Sequence, residues 1–197
     1  MKATDVAYVA GFMDGDGSIH FQLVRQKGYR FGFYIRASLS LSQSTSDRAG
    51  LEYLQNLIGA GYLRDRGTGM SDLVITSRPV LIRLLKAVEP FVVFKRRQVV
   101  AALKLLDTIR PRMEVEEFLA AAREVDAFST LNHSKTKRIS AEDVERHLRG
   151  MGVLAPVTTS PDSLVGEMGF SAGNGKSMEL ITRRPLEKGW RYSLCLQ

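Results

Sequence analysis

Cysteine is nearly absent from this chain of 197 residues; Cys195 is the only one, which excludes an intrachain disulfide and a cysteine-based zinc site. Histidine is scarce too, and His20, His133 and His147 lie far apart, without metal-ligand spacing. No apolar run approaches the roughly 18–20 uncharged residues of a membrane span. The N-terminus lacks the basic region, apolar stretch and cleavage site of a removable targeting peptide. The expectation is a chain that is neither secreted nor membrane-bound, in a reducing compartment. The most telling scarcity is of acid, because no Asp or Glu occurs between Gly17 and Ser46, while Arg25, Lys27, Arg30 and Arg36 fall in that window. The formal net charge of +7 biases the protein toward polyanions. An acid-free stretch that reads as two strands is a candidate phosphate-facing sheet, and a merely basic hairpin is the alternative.

With 44% apolar and 25% charged residues the chain is long enough for one well-covered core. Asp5 to Met13 reads as a short helix capped by Thr4 or Asp5, with small residues at Ala7, Gly11 and Gly15 on one face. Ile19, Phe21 and Leu23 alternate with polar residues, the period of a half-buried strand. Lys27 to Arg30 makes a turn, and Phe31, Phe33, Ile35, Ala37, Leu39 and Leu41 form the apolar face of a second strand. A helix follows between Ser46 and Ile58, stopped by Gly59 and Gly61. A second hairpin covers Tyr62–Arg66 and Asp72–Thr76; Ser77 then caps a helix opened by Pro79. Helical patterns recur at about 96–109 and 114–128, and a last helix runs from Ser140 to near Gly150. This order predicts an α+β fold, an αββαββα core whose two hairpins join into one four-stranded antiparallel sheet with helices on a single face. The other face stays open and carries His20, Gln22, Gln26, Tyr34, Arg36, Arg64 and Arg66, side chains suited to base edges and phosphates. Residues 1–150 form the expected core, and 151–197 an extension packed on it whose role is not legible.

Asp14-Gly15-Asp16-Gly17 stands between the first helix and the first strand. A calcium-binding EF-hand loop fails here, since Ser18, Ile19 and Arg25 occupy its fifth, sixth and twelfth positions. Two acids in a turn could also be held by local hydrogen bonds. The surrounding residues sharpen the choice: AYVAGFMDGDGS resembles the motif of the LAGLIDADG homing endonucleases. SLSQST, GAGYLRDRGTGMSD, EPFVVFKRRQ and LNHSKTKR resemble segments of the single-motif, homodimeric branch encoded in mobile introns, and the resemblance covers roughly residues 5–149 in collinear order.

The resemblance implies a homodimer whose motif helices pack through Ala7, Ala10 and Gly11, and a saddle-shaped sheet lying on double-stranded DNA. Each half-site would span on the order of 10 base pairs. It implies Mg²⁺-dependent cleavage of a long near-palindromic target leaving short 3′ overhangs, with Mn²⁺ or Ca²⁺ able to substitute for binding. Asp16 would be the metal carboxylate and Gly15 the backbone ligand; Gln43 would order the water network and Lys95 would polarise water near the phosphate. The basic residue expected four positions after Gln43 is Asp47 here, with Arg48 next to it, so either Arg48 substitutes or the water network is rearranged. The DNA-binding set is Ser18, His20, Gln22, Val24, Gln26, Tyr34, Arg36, Ser38, Ser40, Arg64, Arg66, Lys135 and Lys137, with Asp72 either orienting arginines or serving as a turn acid. The expected compartment is the one that holds the host's DNA, nucleoid, cytoplasm or organelle. A non-cleaving binder on the same fold, either a maturase acting on intron RNA or a DNA-binding regulator, needs the basic sheet but not Asp16.

Overall fold

The computed structural model describes residues 1–132 and 139–154. The described residues fall within one compact unit, Met1–Val157. Eight of its elements make the layer that matters here: α1 (Ala3–Asp16), β1 (Gly17–Arg25), β2 (Phe33–Ser44), α2 (Arg48–Ile58), β3 (Tyr62–Arg66), β4 (Met70–Ile75), α3 (Arg78–Val88) and α4 (Arg96–Thr108). Two more helices, α5 (Val115–Ser129) and α6 (Ala141–Gly150), complete it. Every neighbouring strand pair is antiparallel and the order is β1-β2-β4-β3, so the hairpins join through their inner strands. The expected α+β architecture is the one observed. Among the described residues no helix is long and apolar enough to cross a membrane.

Alternation decides which face is covered. Ile19, Phe21 and Leu23 of β1, Leu39 and Leu41 of β2, and Leu73 and Ile75 of β4 are all buried beneath the helices. Helical spacing does the matching job on the other side: α2 buries Leu51, Leu54 and Ile58, and α3 buries Leu81, Leu84, Leu85 and Val88. Each such side chain contributes about 1.5–3 kcal/mol by leaving water. That apolar set fixes the register, since a slip of one residue would turn it outward.

Helix α1 is longer than its sequence pattern suggests. It starts at Ala3, with neither Thr4 nor Asp5 as cap; instead the Asp5 carboxylate accepts the Lys2 amide at 2.8 Å. At the other end it runs through both acids of the motif, and Gly17 opens β1 without a connecting loop. Glycine is required at that junction because a Cβ on Gly17 would lie 2.5 Å from the Met13 carbonyl oxygen. Helix α3 likewise begins one residue before Pro79, and the Ser77 side chain makes no capping bond. Ser140 does cap α6, its hydroxyl accepting the Asp143 amide at 3.2 Å. The extension from residue 155 onward, together with Lys135 and Lys137, lies outside the described residues.

Candidate functional site

The open sheet face is built by cross-strand pairing. Ser18, His20, Gln22 and Val24 of β1 stand opposite Ser40, Ser38, Arg36 and Tyr34 of β2. The Arg36 guanidinium donates to Gln22 Oε1 at 2.5 Å, joining two of the expected DNA-facing residues. Gln26 lies just beyond β1 in the hairpin loop, where its amide donates to the Gly32 carbonyl at 2.8 Å and its carbonyl accepts from Tyr29 at 3.1 Å. Tyr34 closes this end by stacking on Tyr29, centroid to centroid 4.8 Å. Across the sheet, Arg64 and Arg66 of β3 join Arg36, His20 and Ser38 around a depression of about 250 Å³. Tyr62 and Thr76 line it too. Tyr62 was legible in the sequence, because it shares the parity of Arg64 and Arg66.

Beneath the arginines sits Asp72, fully buried while the Arg64 and Arg66 side chains remain 53% and 45% exposed. Its carboxylate accepts from Arg64 at 2.7 Å, from Arg66 through Nε at 2.7 Å and Nη2 at 2.5 Å, and from the Ser42 hydroxyl at 2.7 Å. Burial works to raise its pKa, but the bonds from Arg66, Arg64 and Ser42 outweigh it and hold the group at about 2. Of the two readings of Asp72, the structure has the one that orients arginines. A fork gripped from below points its remaining N–H donors outward, the geometry that suits phosphate oxygens and guanine edges.

The second focus is the end of α1. Asp16 is exposed and makes no hydrogen bond or ion pair among the described residues, although a carboxylate at a helix C-terminus meets the negative end of the dipole. Gly15 is exposed beside it, and its carbonyl accepts from Lys95 Nζ at 3.3 Å. Lys95 Nζ also donates to the Asp14 carbonyl. The Asp14 carboxylate in turn accepts the amides of Val93 at 2.5 Å, Phe94 at 3.2 Å and Lys95 at 3.0 Å. Desolvation tends to raise the Asp14 pKa, yet these amides and the Lys95 charge leave it lowered. Gln43 belongs to the same end of the sheet: Gly17 pairs with Leu41, so Gln43 lies two residues past the α1–β1 junction on the adjoining strand. Its Oε1 accepts the Ser44 amide at 2.9 Å. Arg48 is otherwise engaged, paired with Glu52 at 3.1 Å and with Asp65 of β3 at 2.5 Å.

One expectation about the small-residue face needs correcting. Ala10 is wholly buried with Val9 and Met13 inside the protomer, so it cannot meet a second chain. The exposed stripe of α1 is Ala7, Tyr8, Gly11 and Gly15. A Cβ placed on Gly11 or Gly15 would touch nothing within 4 Å among the described residues.

Comparison with known proteins converges on one family. Residues 9–89 match the family model described as LAGLIDADG endonuclease. The chain is 35% identical over 138 residues to the DNA endonuclease I-CreI of Chlamydomonas reinhardtii, covering 70% of this chain and 84% of that protein. It is 30% identical over 146 residues to the DNA endonuclease I-CvuI of Chlorella vulgaris, covering 74% of this chain and 91% of that one. The fold superposes on the crystal structure of the homing endonuclease I-CvuI in complex with its target in the presence of Ca, with a TM-score of 0.73 and 29% identity over 78% of this chain and 98% of that chain.

Proposed function

The chain belongs to the LAGLIDADG endonuclease family, and from that premise we propose that it is a homodimeric, metal-dependent homing endonuclease that cuts both strands of a near-palindromic DNA site. The observation that carries the reading is Asp16, an acid without a partner among the described residues at the unfavourable end of a helix, in a chain whose open sheet face carries gripped arginines. A cation is the partner such an acid lacks.

The donor set suits a sparing hard cation. Among the described residues no group of three or more His, Cys, Asp or Glu side chains could hold a metal, and the end of α1 offers the Asp16 carboxylate and the Gly15 carbonyl. Mg²⁺ accommodates this, since it is held by one or two carboxylates and takes its other oxygens from water and substrate phosphate. Mn²⁺ and Ca²⁺ can substitute for binding, in keeping with the Ca present in the I-CvuI complex. When bound, such a cation activates water and offsets charge on the scissile phosphate. Asp16 and Gly15 would hold it; Gln43, whose side-chain amide can both donate and accept, would order water next to the junction; Lys95 would bring a positive charge to the same point. In this reading Arg48 contributes by bracing α2 against β3, with its charge already answered.

One motif per chain makes the second carboxylate the gift of a second copy. Glycine in a helix interior is unfavourable by about 1 kcal/mol relative to alanine. Nothing among the described residues requires it at Gly11 or Gly15, whereas close approach of another helix does. Beside this stripe, Val93 and Phe94 stand 74% and 83% exposed, apolar surface that dimerisation would cover. An isologous dimer then places two sheets on two half-sites of matching symmetry.

The direct test is selection from a randomised duplex library of on the order of 20 base pairs, about two helical turns. Purified protein and Mg²⁺ should release double-strand ends with short 3′ overhangs from one near-palindromic sequence, and sedimentation should give two chains per duplex. Binding with every duplex left intact would leave a regulator or maturase in its place.

A further inference from the structure

We propose that Asp14 is a positioning residue for cleavage, holding Lys95 against the end of α1 where Asp16 stands; this rests on the endonuclease reading above. Both oxygens of the Asp14 carboxylate are occupied by backbone: Oδ2 takes the Val93 and Phe94 amides and Oδ1 the Lys95 amide. They are therefore spent on the segment leading into α4. The same segment returns the contact, because Lys95 Nζ donates to the carbonyls of Asp14 and Gly15. Two elements about eighty residues apart in sequence are thus clasped in both directions, main chain to side chain and side chain to main chain.

The Lys95 carbonyl caps α4 by accepting the Val99 amide at 2.9 Å, which anchors the residue from its C-terminal side. Val92 before it and Val99 after it are buried, but Val93 and Phe94 project into solvent. From the N-terminal side, the side chain that holds the Val93–Lys95 amides is the Asp14 carboxylate. Catalytic geometry is unforgiving of such freedom, since a displacement of about 1 Å can lower a rate roughly 100-fold. Asparagine at position 14 would keep one acceptor and turn an NH₂ donor toward amides that are themselves donors, opening half of the clasp. The two motif acids consequently divide the work, Asp16 toward the cation and Asp14 toward the lysine.

The test is a double-mutant cycle in single-turnover cleavage of the selected duplex, with Asp14→Asn, Lys95→Met and the double variant compared with wild type. Asp14→Asn should slow cleavage by roughly 10–100-fold, leave affinity for duplex in Ca²⁺ within about threefold, and speed hydrogen exchange at the Val93–Lys95 amides. In the Lys95→Met background the same substitution should lower the rate by less than about threefold, because nothing remains to be positioned. Asp14→Glu, which retains both acceptors on a longer stem, should recover part of the rate, and it carries the same cycle if the asparagine variant does not fold. Equal losses in both backgrounds, or an unchanged rate, would overturn the inference while leaving the endonuclease reading intact. A wild-type protein that leaves duplex uncut removes both.

Discussion

The centre of the open sheet and the end of α1 each present an acid, and the chain treats the two in opposite ways. Asp72 is buried and saturated by Arg64, Arg66 and Ser42. Asp16 is exposed, without a partner among the described residues and set against a helix dipole. An acid that its own chain neutralises is part of the scaffold, and here it aims two arginines. One that the chain leaves unanswered is kept for something absent from the protomer. Asp14, two residues before Asp16, belongs with Asp72 in this respect, since its negative charge is consumed by amides.

The strongest way to break this comparison is to neutralise each acid in turn. Asp16→Asn should lower the single-turnover cleavage rate by on the order of 100-fold or more. The same variant should bind duplex with unchanged affinity and melt no lower than wild type, because no protomer contact is lost. Unimpaired cleavage would show that the exposed acid is not the reserved one. Asp72→Ala should do the reverse, weakening duplex binding by roughly tenfold as two arginine forks come loose. It should also destabilise the fold by about 1–3 kcal/mol through loss of the charge-assisted hydrogen bonds that Asp72 accepts, as denaturant titration would show.

The difference also has a signature in pH. The Asp72 pKa lies at about 2, below its ordinary 3.8, so the stabilisation is fully present above pH 4 and is lost as pH falls toward 2. Its size is about 2 kcal/mol. Equilibrium unfolding followed from pH 5 down to 2 should show that loss in wild type and a flatter profile in Asp72→Asn. A smaller contrast sharpens the view of α1. Gly17→Ala should cost about 1–3 kcal/mol of protomer stability by crowding Met13. Gly11→Ala should leave the protomer as stable as before or slightly more so, while shifting sedimentation toward single chains. If both glycines prove equivalent in the melt, Gly11 is not answering to a second chain.

Much of the fold was written in periodicity. Period-two alternation in β1 and β2 and the 3.6-residue spacing of Leu51, Leu54 and Ile58 are local patterns that survive without knowledge of the rest of the chain. The same parity assigned Gln22, Arg36, Arg64 and Arg66 to one face. Element ends were less legible, as α1 shows: its continuation through Asp16 depends on Asp14 being held by a loop far along the chain and on Gly17 tucking under Met13. Arg48 was readable as a cation but its pairing with Asp65 was not, because Asp65 lies on a strand that only folding brings near.

By itself, then, the sequence determined the order of helices and strands, the polarity of each sheet face and the presence of two acids at the first helix–strand junction. These follow from local stereochemistry and the spacing of apolar side chains. Tertiary structure decided which acid was consumed and which left exposed, that Ala10 turns inward while Gly11 turns outward, and that Asp72 lies under the arginines rather than in a turn. Identical side chains differ in these respects because desolvation and hydrogen bonding depend on what distant segments bring within about 3 Å, and no sequence spacing encodes that distance.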